Sequence, residues 1–115
     1  MTVRQVANQV STEIAAPPCA HVLGVPVHVI DTRDVVRHME QWIRRRGRCH
    51  WIAVTSSHGI VEGYKYPEFK RILKSADLSL PDGKWTARLA GRRASRAAKQ
   101  VRGTDLLQAF CEVAN

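Results

Sequence analysis

Asp82 is the residue of this 115-residue sequence whose surroundings most clearly suggest chemistry. It lies in Pro81-Asp82-Gly83, a strong turn signal that directly follows the short apolar run 76–80. Open α/β sheets bind their ligands just beyond the carboxyl ends of their strands, and a carboxylate there can act as a general base. Pro-Asp-Gly is also a common turn tripeptide, so on its own it favours a structural interpretation.

A second polar group, residues 55–58, follows another apolar run, 49–55. If the two runs are neighbouring strands, Thr55 and Asp82 border one polar pocket at the strand ends. His58 could donate a hydrogen bond to a substrate oxygen. The alternatives are that residues 55–58 cap the helix that follows, and that His58 is an ordinary surface residue.

Cations outnumber anions by 18 to 10, giving a formal charge of +8, which suits phosphates, nucleic acid or acidic lipid as partners. One basic stretch contains Lys84, Arg88, Arg92, Arg93, Arg96, Lys99 and Arg102. Gly103 and Thr104 follow it as a helix start, whose free N–H groups could hold a phosphate or simply be capped. Regularly interleaved aromatic residues for stacking on bases are absent, which counts against single-stranded nucleic acid.

The elements that must position these residues alternate between strand and helix. The β-branched run 22–30, interrupted by Gly24 and Pro26, predicts one or two short strands, and residues 49–55 and 76–80 predict buried parallel strands. Apolar spacing predicts a helix over 32–46, capped by Asp31 or Thr32, a second over 57–66 and a third that begins at Pro67. It also predicts a fourth helix through Trp85, Leu89 and Ala90. A fifth is predicted to begin at Gly103, and its apolar face contains Leu106, Leu107, Phe110, Cys111 and Val113. This alternation indicates an α/β fold with a parallel sheet. We expect residues 1–20, which end near Pro17-Pro18, to be a flexible leader, and residues 21–115 to form the folded domain.

Cys19, Cys49 and Cys111 are odd in number and show no paired ligand spacing. They therefore predict reduced core thiols in the cytoplasm rather than a disulfide framework or a zinc site. The sequence also contains no run that approaches the roughly 20 apolar residues needed to cross a bilayer, so we expect a soluble or peripheral protein.

Four segments, taken in order, resemble the WecG/TagA/CpsF family of bacterial glycosyltransferases. They are 54–62 (VTSSHGIVE), 66–73 (YPEFKRIL), 76–83 (ADLSLPDG) and 101–106 (VRGTDL). The upstream segment 24–27 (GVPV), followed by a helix, is similar to the opening of that family. The order and spacing are more specific than any single motif. The resemblance extends from about His21 to the end of the sequence and implies a Rossmann-like layered sheet with flanking helices, the first half of the family domain.

The resemblance implies an inverting, metal-independent transferase that needs no cofactor. Its donor would be a UDP-sugar such as UDP-N-acetylmannosamine or its uronate, and its acceptor a sugar linked to undecaprenyl diphosphate, in surface polysaccharide biosynthesis. The implied location is the cytoplasm, with peripheral association at the inner face of the plasma membrane. Self-association through an open sheet edge is a further expectation.

The resemblance also implies roles for individual residues. Asp82 would be the general base, while Thr55, Ser57 and His58 would line the acceptor pocket. Three positions, Lys99, Arg102 and Gly103, would stabilise the departing diphosphate. The competing hypothesis is a small basic module that binds nucleic acid or an anionic membrane, and steep salt dependence would distinguish phosphate-backbone binding from sugar recognition.

Overall fold

A computed structural model describes residues 14–114 of the chain, which form a mixed α/β fold with two small sheets and five helices. The elements are β1 (Cys19–Val22), β2 (Val25–His28), α1 (Thr32–Arg45), β3 (Ile52–Thr55), α2 (Ser57–Lys65), α3 (Pro67–Lys74), β4 (Leu78–Pro81), α4 (Lys84–Ala94) and α5 (Gly103–Ala114). The alternating order predicted from the sequence is confirmed. Residues 1–13, the larger part of the predicted leader, lie outside the described residues, and β1 begins at Cys19.

The predicted β-branched strands pair as an antiparallel hairpin. Leu23 and Gly24 both have positive φ, 51° and 81°, as expected for the tight two-residue turn that suits the twist of paired strands. Val25 and Val27 are fully buried in alternation with less buried neighbours, so one face of the hairpin joins the core. The hairpin is extended by one further hydrogen bond, in which Val29 N–H donates to Pro18 C=O at 2.8 Å.

Local backbone and side-chain interactions determine where helix α1 begins and ends. The Asp31 carboxylate accepts a hydrogen bond from Asp34 N–H at 2.8 Å, which makes Asp31 the N-cap, one of the two predicted caps. The helix ends at Arg45, and Arg46 follows in the left-handed conformation. The buried residues Val35 and Val36 anchor the helix against the core.

Strands β3 and β4 pair in parallel, as predicted, with Ile52 opposite Leu78 and Thr55 opposite Pro81. Both strands are shorter than the runs 49–55 and 76–80, because residues 49–51 and 76–77 carry no strand pairing. The crossover between β3 and β4 contains α2 and α3. It packs tightly, since a Cβ atom at Gly63 would lie 3.0 Å from Val25 Cγ2.

Helices lie on both sides of the β3–β4 pair, which gives the layered arrangement expected of a Rossmann-like fold. One apolar cluster joins the hairpin to β3, α2, α3 and α4: Ala20, Val22, Val25, Val27, Ala53, Ile60, Leu73 and Ala90. The other joins α1, β4 and α5: Ile30, Val35, Val36, Leu78, Leu80, Val101 and Leu106. No helix in the described part of the chain is long and apolar enough to cross a membrane.

Two expectations about burial are wrong. The cysteines are free but exposed rather than in the core, because Cys19 lies on the outer face of β1, Cys49 in a loop and Cys111 on the outer face of α5. The predicted apolar face of α5 is only partly covered, with Leu106 buried but Leu107 65 % exposed. A helix that packs on α1 along one narrow stripe buries fewer residues than its apolar spacing allows.

Candidate functional site

Backbone hydrogen bonds bring three separate segments together at the carboxyl end of the β3–β4 pair. Asp82 N–H donates to Thr55 C=O at 3.0 Å, and Val101 N–H donates to Pro81 C=O at 2.7 Å. The start of α5 also lies here, because a Cβ atom at Gly103 would be 3.7 Å from Val54 Cγ2. The predicted convergence of strand ends is therefore present, and we call this region the carboxyl edge.

The Asp82 side chain is half-buried at the carboxyl edge. Within residues 14–114 its carboxylate accepts no hydrogen bond and forms no ion pair. Its position is fixed by the backbone, because the next residue, Gly83, has φ 106° and ψ 150°, a conformation that is essentially restricted to glycine. The backbone therefore holds this carboxylate in place, and no group in residues 14–114 pairs with it.

Thr55 is at the carboxyl edge, but its hydroxyl points into the fold. The residue is only 3 % exposed, and its Oγ1 lies 2.7 Å from Ser79 Oγ, in hydrogen-bond contact. Ser79 N–H in turn donates to His28 Nδ1 at 2.9 Å, which connects β4 to the hairpin. Ser79 is a site residue that sequence reasoning missed, because a partner 24 positions from Thr55 leaves no local signal.

The polar group after β3 divides into a capping residue and two exposed residues. Ser56 Oγ accepts a hydrogen bond from Gly59 N–H at 3.2 Å, so this residue caps α2, as the structural alternative predicted. Ser57 and His58 are exposed at the first turn of α2. His58 lines a cavity of about 250 Å³ together with Glu62 and Phe69.

The predicted phosphate-binding residues are not all in one place. Arg102 immediately precedes α5 and its C=O accepts a hydrogen bond from Leu106 N–H at 3.0 Å, while its side chain is exposed. Gly103 begins the helix, so both residues belong to the carboxyl edge. Lys99 instead lines a neighbouring groove beside α4.

The opposite end of the β3–β4 pair is organised around Asp77, and we call it the amino edge. The Asp77 carboxylate accepts hydrogen bonds from the Arg48 guanidinium and from Trp51 N–H, the latter at 3.0 Å. Burial alone would raise the pKa of Asp77, but these hydrogen bonds and the positive charge of Arg48 outweigh it and hold the pKa below its usual value. This aspartate is an ion-paired clamp, whereas the Asp82 carboxylate has no partner among residues 14–114.

The partner of Ser79, His28, lies in an environment that disfavours its charged form. Burial lowers the pKa of His28, because the charged imidazolium is disfavoured there, and the hydrogen bond from Ser79 N–H also requires an unprotonated Nδ1. Across residues 14–114, no three His, Cys, Asp or Glu side chains come together in an arrangement that could hold a metal ion.

A known protein family matches the part of the chain that contains both edges of the β3–β4 pair. The family model described as "Glycosyl transferase WecG/TagA/CpsF family" matches residues 20–115, a span that includes all of the residues at the carboxyl edge. No curated protein matches the chain. The match covers most of the sequence and agrees with the mixed α/β fold, and the chain therefore belongs to the WecG/TagA/CpsF family of glycosyl transferases.

Proposed function

We propose that this chain transfers an N-acetylmannosamine-type sugar, or its uronate, from a UDP-sugar to a lipid-linked sugar, with inversion at the anomeric carbon and Asp82 as the general base. The observation that carries the proposal is the fixed position of the Asp82 carboxylate at the carboxyl edge, where no side chain of residues 14–114 pairs with it. Family membership supports the reaction class, and the geometry supports the choice of base.

The proposed chemistry uses a single carboxylate. A sugar hydroxyl is a poor nucleophile until its proton can leave, so Asp82 accepts that proton as the acceptor oxygen attacks the anomeric carbon. The bond between the anomeric carbon and the diphosphate oxygen breaks, and UDP departs with the bonding electrons. Attack from the face opposite UDP inverts the configuration at the anomeric carbon.

Ser57 and His58 are the proposed acceptor-binding side chains, because both are exposed at the start of α2, directly after β3. Thr55 contributes chiefly through its backbone, whose C=O holds Asp82 in position. For Thr55 to contact the acceptor directly, its hydroxyl would have to exchange Ser79 for a sugar hydroxyl.

Arg102 and the N–H groups that begin at Gly103 are the proposed contacts for the departing diphosphate. The N-terminus of a helix favours negative charge, and an exposed arginine can bind phosphate through two parallel hydrogen bonds. Lys99 is proposed to add long-range positive charge from the adjacent groove. The donor is a substrate, and no cofactor is part of the proposal.

The proposed setting is the cytoplasmic face of the plasma membrane, where an undecaprenyl-diphosphate-linked acceptor would be available to a peripheral enzyme. Self-association is a further part of the proposal. Within the described residues β3 pairs with β4 alone, so its other edge is open to a second copy of the chain.

The test is a UDP-release assay with purified chain, UDP-N-acetylmannosamine and a lipid-diphosphate-linked N-acetylglucosamine acceptor. We expect release that requires the acceptor and that falls at least about 100-fold in Asp82→Asn. Glu112→Gln is the matched control, because Glu112 is exposed near the end of α5, away from the proposed diphosphate contacts, and its substitution changes the charge equally. Equal release by the two variants, or no release by the folded wild-type chain, would contradict the proposal.

A further inference from the structure

Helix α4 presents an unusual outer face. Its inner face is closely packed, with Thr86, Ala87 and Ala90 buried. Trp85 is 67 % exposed and Leu89 is 40 % exposed, although both are large and apolar. At about 100° of rotation per residue, these two side chains are neighbours on adjacent turns and lie in the middle of the exposed face.

Cations flank this apolar pair on both sides. By the same rotation, Lys84, Arg88 and Arg92 lie on one side and Arg93 on the other. The Arg88 guanidinium is 5.4 Å from the centre of the Trp85 ring, a cation–π contact that keeps the charge beside the aromatic surface. Within residues 14–114 none of these four cations forms an ion pair, so their charge is available to an external partner.

A basic groove of about 800 Å³ continues this face. It exists because the chain folds back along α4, where Arg96 N–H donates to Gly91 C=O at 2.9 Å. A Cβ atom at Gly91 would lie only 2.5 Å from Arg96 C=O, so the close approach depends on glycine. Arg96 and Lys99 therefore face the cations of α4 across the groove, and no acidic residue is among those that line it in the described part of the chain.

We propose that the exposed face of α4, with this groove, docks on a bilayer that contains anionic phospholipid. The unpaired cations complement the negative headgroups, and the groove admits their phosphates. Trp85 and Leu89 would enter the interfacial region, where tryptophan is favoured because its ring is apolar and its N–H is polar. Nucleic acid fits this face less well, because successive bases need successive aromatic side chains and α4 presents one, Trp85, beside the aliphatic Leu89.

The proposed docking face is directly connected to the carboxyl edge. Asp82 and Gly83 immediately precede α4, so contact at Trp85 would hold the base close to the bilayer surface. A lipid-linked acceptor would then reach Asp82 without leaving the membrane. The role of docking in presenting the acceptor to Asp82 rests on the proposed function. The docking itself can be measured without donor or acceptor.

The experiment titrates the full chain with vesicles of phosphatidylcholine alone and of phosphatidylcholine with 30 % phosphatidylglycerol, taking about 30 % as a typical anionic content. We expect binding that is at least about 10-fold tighter to the anionic vesicles and that weakens as salt is added. The pair Arg88→Gln and Arg92→Gln should weaken it about 25-fold, from about a fivefold loss for each cation. The control pair Arg44→Gln and Arg45→Gln, at the end of α1, has the same net charge and should weaken binding less than about 2-fold.

A second readout locates the contact. The tryptophan fluorescence should shift to shorter wavelength on anionic vesicles, and Trp85→Phe should abolish the shift while Trp42 and Trp51 remain. Equal weakening by the two arginine pairs, or a shift that persists in Trp85→Phe, would overturn the proposal. Tighter binding to a single-stranded oligonucleotide than to the anionic vesicles would assign the face to nucleic acid instead.

These outcomes are separable from those of the transfer assay. A chain that ignores vesicles but releases UDP in an Asp82-dependent reaction refutes the docking face alone. A chain that docks through Trp85 but releases no UDP refutes the transferase proposal alone.

Discussion

Two aspartates flank β4, and their environments are opposite. Asp77 immediately precedes the strand at the amino edge, where Arg48 and Trp51 N–H occupy its carboxylate. Asp82 immediately follows the strand at the carboxyl edge, where its backbone N–H is bonded but its carboxylate has no partner in residues 14–114. The same side chain is therefore a clamp at one end and, at the other, the carboxylate that we propose as the base.

The difference shows that one aspartate of this small sheet joins the strand ends through its carboxylate, whereas the other is itself held by the backbone. At the amino edge, two hydrogen bonds to the carboxylate and one from Asp77 N–H to Trp51 C=O join the starts of β3 and β4. At the carboxyl edge, the backbone holds Asp82 through Thr55 C=O and the special conformation of Gly83, while the Thr55 and Ser79 hydroxyls join the two strands inside the fold. The backbone thus fixes the position of the Asp82 carboxylate, which has no partner within residues 14–114.

Gly83→Ala should have the largest effect on this arrangement. Alanine is strained at φ 106°, so we expect a loss of about 1–3 kcal/mol in the free energy of unfolding. Relief of that strain would displace Asp82, and turnover should fall by at least about 10-fold. Urea unfolding and UDP release measure the two effects.

The control for that substitution is Gly47→Ala, because Gly47 has no positive φ and a Cβ atom there would meet no other atom within 4 Å. It should change both quantities little. If the two glycines respond alike, the backbone at Gly83 does not position Asp82.

Asp77→Asn should destabilise the amino edge, with a smaller overall effect than Gly83→Ala. Loss of the charged hydrogen bonds, one of them to a largely exposed arginine, should cost about 1–2 kcal/mol of stability. Because the folded pKa of Asp77 is lowered, its contribution is present above the usual 3.8 and is lost as pH falls through the folded value. Chemical unfolding at pH 7 and at about pH 3 would detect the difference.

Substitution at the amino edge should leave the rate of UDP release largely unchanged. At a temperature where Asp77→Asn remains folded, UDP release should stay within about 2-fold of wild type, since the change is at the far end of the strands. A large loss of release in the folded variant would break the division between the two edges.

His28→Asn should have the smallest effect and reports on how β4 is joined to the hairpin. The folded pKa of His28 is lowered, so its contribution to stability is complete above the usual 6.5 and is lost progressively as pH falls below that value. Asparagine can still accept the hydrogen bond from Ser79 N–H but does not titrate. The decline in stability between about pH 7 and pH 5 should therefore become shallower, with a remainder from His38, whose pKa burial also lowers.

The sequence predicts the order of elements well because local signals determine it. Asp31 and Ser56 cap their helices, Pro67 opens α3, and Pro81-Asp82-Gly83 forms the turn that carries the candidate base. Each of these assignments depends on residues within a few positions of one another.

The missed features depend on distant partners. Arg48 and Asp77 are 29 positions apart, and Thr55 and Ser79 are 24 apart, so no periodicity marks either pair. The exposure of Trp85 also escapes prediction, because an apolar residue in an amphipathic helix is expected to face the core. Long-range packing decides which side chains are buried or bonded within the fold and which remain exposed to a ligand or partner.

The most direct test of the account compares kcat and the acceptor KM of Asp82→Asn and Asp77→Asn, both at the same folded fraction. A general base acts in the transition state, so Asp82→Asn should lower kcat by about 10²- to 10⁴-fold with acceptor KM changed only a few-fold, while Asp77→Asn keeps both. Unchanged kcat in Asp82→Asn would contradict the central claim that the unpaired carboxylate at the carboxyl edge performs the chemistry.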